Sequence, residues 1–72
     1  MLDDVDKRHQ AREAFDVIAN AYRREGEAMA RAWMWGMNPL LRDDSPLLTI
    51  AAGRGIAALR AARKHATGDD AH

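Results

Sequence analysis

The side chains that could do chemistry are few and widely spaced. Ser45 and Thr49 carry the nucleophile-type hydroxyls of the central stretch, with no histidine close to either, and the chain has no cysteine. Asp43-Asp44 is a carboxylate pair, but acid–base work needs two environments that push the pKa values apart. A chain of 72 residues has little interior to provide them. On a loop before a helix, these carboxylates read more simply as charge facing a helix N-terminus. His9, His65 and His72 are scattered, with no thiolate or carboxylate cluster at ligand spacing, which argues against a structural metal. Gly53-Arg54-Gly55 lacks the preceding strand and third glycine of a phosphate loop, and reads as a corner between helices. Arg60, Arg63, Lys64 and His65 cluster near the end of the last expected helix. They answer the C-terminal end of a helix dipole, or converge at three- and four-residue steps on one partner surface. No catalytic constellation or cofactor motif emerges, so the expectation is a non-enzymatic chain.

The elements that would position these groups are organised around Trp33–Gly55, which holds both tryptophans, both prolines and three of the five glycines. Upstream, Asp3, Asp4 and Asp6 suit a helix start, and no proline interrupts up to Met34. Ala11, Phe15, Ile18, Tyr22, Met29 and Trp33 fall near one stripe at helical steps. A gap falls at Glu25-Gly26. The reading favours one continuous helix with a weak point there; the alternative is two helices meeting at Gly26. Trp33 and Trp35 point about 200° apart on a helix. Trp33 fits the inward stripe, leaving Trp35 with Met34 and Met37 as an outer apolar surface for a partner. Packing of Trp35 under the Leu40-Leu41 loop is the competing reading.

Gly36 is placed as the left-handed residue that ends the long helix, and Asn38-Pro39 marks a turn. At least one of Leu40 and Leu41 is expected to plug down onto the first helix. Ser45-Pro46 is the clearest local signal, a capping hydroxyl followed by proline at the first helical position. It opens a short helix that stops at Gly53. A final helix is expected from about Arg54 to Ala66, ending at Gly68, with Ile56, Leu59, Ala62 and Ala66 inward. The fold class is all-α: a long N-terminal helix, a short proline-led helix, and a C-terminal helix packed back on the first. Residues 1–68 form one domain with a core of Trp33, Leu40, Leu47, Ile50, Ile56 and Leu59, and 69–72 form a disordered tail.

Formal charge is zero, with six Lys/Arg against seven Asp/Glu over 1–36 and five against four over 37–72. That balance argues against a dedicated nucleic-acid binder. No apolar run of about 18 residues is present to span a membrane, and the acidic start is no signal peptide, so a cytoplasmic location is expected. With residues 40–66 too few to cover the long stripe, a homodimer through the N-terminal helices is expected as well.

Ala32-Trp33-Met34, Met37-Asn38-Pro39-Leu40-Leu41, Ser45-Pro46-Leu47-Leu48, Gly53 and the helix ending at Gly68 form a sequence pattern. Over roughly residues 27–68 it resembles the toxin-binding domain of Xre/MbcA/ParS-type bacterial antitoxins. The resemblance implies a protein partner, a RES-type toxin that consumes NAD, whose active site the domain covers. It implies that the Asn38-Pro39 turn and the C-terminal helix face the toxin, and the candidate partner-binding residues are then Trp35, Asn38, Pro39, Arg54, Arg60, Arg63 and Lys64. No cofactor or metal is implied. A scaffolding homo-oligomer, phage or mobile-element encoded and binding another bacterial protein, is the alternative.

Overall fold

A computed structural model describes residues 4–68. It is all-α, with four α-helices and a single 3-10 turn among the described residues: α1 Asp4–Ala21, α2 Gly26–Trp35, the 3-10 turn Pro39–Leu41, α3 Pro46–Ala51 and α4 Gly55–Thr67. The expected tail at 69–72, and Asp3 at the expected helix start, lie outside the described residues.

The N-terminal helix is not continuous. It ends at Ala21, and the chain turns through residues 22–25 before α2 begins at Gly26. The cause is a close approach. Gly26 is buried, and a Cβ there would collide with the carbonyl oxygen of Ala19 in the last turn of α1. Glycine alone lets the start of α2 cross α1 at that separation. The turn also resets the helical phase. The buried row of α2 is Gly26, Ala30 and Met34, at steps of four, rather than Met29 and Trp33. Met34, expected on the outer surface, is therefore a core residue only 4% exposed, whereas Met29 is exposed. Folding α2 back on α1 covers part of the stripe whose exposure argued for a homodimer.

α1 packs most extensively against α4 and α2. Ala14 and Ile18 of α1 are completely buried, one turn apart, and meet Ala30, Met34, Ile50, Ala58 and Ala62 in the core. Phe15, Trp33, Leu47 and Leu59 flank that core, partly buried. α4 presents its small residues inward: Gly55, Ala58, Ala61 and Ala62. Close packing of two helices selects small side chains at the contact, so the bulkier Ile56 is turned outward and is 64% exposed. Leu40, also placed in the core from the sequence, is 47% exposed, while its neighbour Leu41 is buried. The 3-10 turn carrying both packs against α4 rather than α1.

The helix ends follow local chemistry. The Ser45 hydroxyl accepts from the Leu48 amide at 3.1 Å, with Pro46 at the first helical position, as read from the sequence. Gly68 closes α4 in the left-handed region, φ 78°, and Gly53 makes the preceding corner at φ 87°. Gly36 differs from expectation: it is extended, φ −84° and ψ 156°. The reversal falls instead on Arg42 and Asp43, both left-handed at φ 58° and 67°.

Candidate functional site

The loop between α2 and α3 is built around Asn38. Its side-chain oxygen accepts from the Leu40 amide at 2.9 Å, capping the 3-10 turn, with Pro39 at the first position of that turn. Its main-chain oxygen accepts from the amides of Leu41 and Asp43, and its own amide donates to the Asp44 carbonyl at 3.2 Å. Every hydrogen-bonding group of the Asn38 backbone is used, and the side chain is almost fully buried. Asn38 thus shapes the loop, and its neighbours are the groups displayed.

Those neighbours are apolar. Met37 is 82% exposed, and Pro39 and Leu40 are also exposed. With Trp33, Asn38 and His65 they line a cleft of about 330 Å³ between the loop and the end of α4. Its wall is held by His65, whose Nε2 lies 2.7 Å from the Tyr22 hydroxyl, with the Trp33 ring centroid 6.2 Å from the imidazole. His65, read from the sequence as one of several cations on the helix end, thus turns inward to tie α4 to the chain leaving α1.

The predicted residues do not converge on one place. Arg54 pairs with Asp44 at 3.2 Å, which ties the corner before α4 to the loop before α3. Arg63 pairs with Glu13 at 2.8 Å, bridging α4 to α1. Arg60 and Lys64 are exposed, one turn apart on α4. Trp35 is 72% exposed and belongs to a different cleft, of about 310 Å³, lined with Phe15, Met34 and Leu47. It does not pack under the Leu40-Leu41 loop.

The hydroxyls that resemble nucleophiles are occupied structurally. Ser45 caps α3, and the Thr49 hydroxyl donates to the Ser45 carbonyl at 3.0 Å in a buried setting. Among the described residues, no group of three His, Asp or Glu side chains could hold a metal ion, and no helix is long and apolar enough to cross a membrane. Sequence reasoning missed Met37 and Leu40 as members of one cleft. The signal was present in Asn38-Pro39, which repeats the cap-then-proline logic of Ser45-Pro46. Comparisons with protein-family models, with curated proteins and with solved structures find no match to this chain.

Proposed function

We propose that this chain is a non-enzymatic protein-binding domain, and most concretely an antitoxin-like inhibitor of a RES-type toxin that consumes NAD. The observation that supports it is the fixed loop at 38–44, which holds Met37, Pro39 and Leu40 out to solvent beside the end of α4. Apolar side chains displayed on a hydrogen-bonded backbone bind without a large ordering cost. The motif resemblance supports the choice of partner, since it implies that the Asn-Pro turn and the terminal helix face the toxin.

The test is a purified RES-type toxin assayed for NAD consumption while this chain is titrated in. Inhibition saturating at a fixed stoichiometry is expected. Replacing Arg60 and Arg63 together with Ala should weaken the complex by about 2 kcal/mol or more when those cations are buried in it. The isolated fold should barely change, because the Arg63–Glu13 pair is exposed and such pairs contribute about 0–1 kcal/mol. A toxin that keeps full activity in excess of this chain would remove the reading.

A further inference from the structure

The cleft at Trp35 does not stand alone. It meets a larger one of about 510 Å³ at Ala11 and Leu47, which both clefts share. Together they form one groove along α1, walled by α2 on one part and α3 on the other. Its floor is Ala11, Phe15, Met34, Leu47 and Ile50. It follows α1 from Asp4 to Phe15, a length of about 16 Å at 1.5 Å per residue. That is the span of about three helical turns, which suits a helix laid in a groove.

The rim is basic, in a chain of zero net charge. Lys7, Arg8, Arg12 and Arg31 line the groove against one carboxylate, Asp4. Arg12 and Arg31 have partners on their own helices, Asp16 at 3.4 Å and Glu27 at 3.6 Å, but both pairs are exposed. Pairs of this kind hold their side chains weakly and give way to a better-placed anion. Trp35 stands at the α2 end, an aromatic anchor of the type that dominates binding energy when a partner desolvates it.

We infer that this groove docks an acidic amphipathic helix of a protein partner, with apolar side chains on the Ala11–Phe15 floor and carboxylates against Lys7, Arg8, Arg12 and Arg31. Charge decides the occupant. A second copy placed symmetrically over the groove would set this cationic rim against itself. The surface is distinct from the Met37–Leu40 cleft, so it does not depend on the toxin reading.

The experiment titrates the full chain with two synthetic peptides of about 18 residues, long enough to form helix on their own. Both carry the same leucine stripe; one has glutamates on the flanks and the other lysines. Binding is read from the blue shift of tryptophan emission that the wild type shows and Trp35→Ala lacks. The glutamate peptide should bind at least about ten-fold tighter, and its affinity should fall as salt rises. The double variant Arg8→Glu, Arg12→Glu, with its fold checked by a thermal melt, should invert the preference. Equal binding of both peptides overturns the inference, as does binding by neither. An emission shift that tracks protein concentration without peptide would show a second copy in the groove and overturns it as well.

Discussion

Asn38 and Ser45 perform one task at two points of the same loop, each lending a side-chain oxygen to an amide that the following helical turn leaves unpaired. Each is followed by a proline whose missing amide costs nothing there. Ser45→Ala should therefore lower stability by about 1 kcal/mol, a fall in melting temperature of about 4–8 °C for a domain this small. Partner affinity should stay unchanged beyond that loss. Asn38→Ala should cost a similar amount and in addition weaken binding at the Met37–Leu40 cleft, because the 3-10 turn beneath Pro39 and Leu40 loses its cap. A calorimetric melt and a binding titration on both variants separate the two outcomes. Ser45 was legible as a cap because an apolar helical run follows it. Asn38 was legible only as a turn residue, since a 3-10 turn of three residues has no periodicity to reveal it. Leu40 and Leu41 are chemically alike, and only the geometry of that turn decides which one is buried.

Among the elements, the break between α1 and α2 had a visible cause and an invisible consequence. Gly26 marks it in the sequence, yet a lone glycine inside a helical pattern is tolerated often enough that continuity remained the simpler reading. What the sequence could not show is that the Ala19 carbonyl lies where a Cβ at 26 would sit. Gly26→Ala should thus be severe, at the upper end of the about 1–3 kcal/mol of an overpacked contact. Gly53→Ala faces open space and carries only the left-handed backbone strain, about 1–2 kcal/mol. Equal melting temperatures for the two variants would mean that the α1–α2 approach is not rigid. The α1–α4 contact offers a companion test. A Cβ at Gly55 would collide with the end of the Gln10 side chain, whose buried Oε1 has no hydrogen-bond partner among the described residues. Because only the far end of that flexible side chain must move aside, Gly55→Ala should cost far less than Gly26→Ala, and Gln10→Ala introduced first should remove what cost remains, read as coupling in a double-mutant cycle. The same contact explains why Ile56 was misplaced. Hydrophobicity ranks isoleucine above alanine, but α4 approaches α1 through its alanines.

For the whole molecule, the Cα radius of gyration is 11.3 Å, against about 11 Å expected for a compact chain of this length. A single core of this size rarely nets more than about 3–5 kcal/mol. The homodimer expected through the N-terminal helices makes the urea midpoint depend on protein concentration, and a constant midpoint would remove it. A midpoint that climbs with concentration would show folding coupled to self-association. The helical class and the turns that follow α2 were legible from caps, prolines and glycines, whereas the turn at 22–25 was not. The packing was not, because it depends on which small residues let two backbones approach. The closed ring of hydrogen bonds at 38–44 carries a consequence for how such a chain diversifies. Asn38 fastens the ring from within, and Leu41 roots it, while Met37, Pro39 and Leu40 project outward. Architecture and outward display thus reside in different side chains of one short loop, and under the proposed binding role drift at 37 and 40 would exchange one target for another while the fastening residues keep the ring shut.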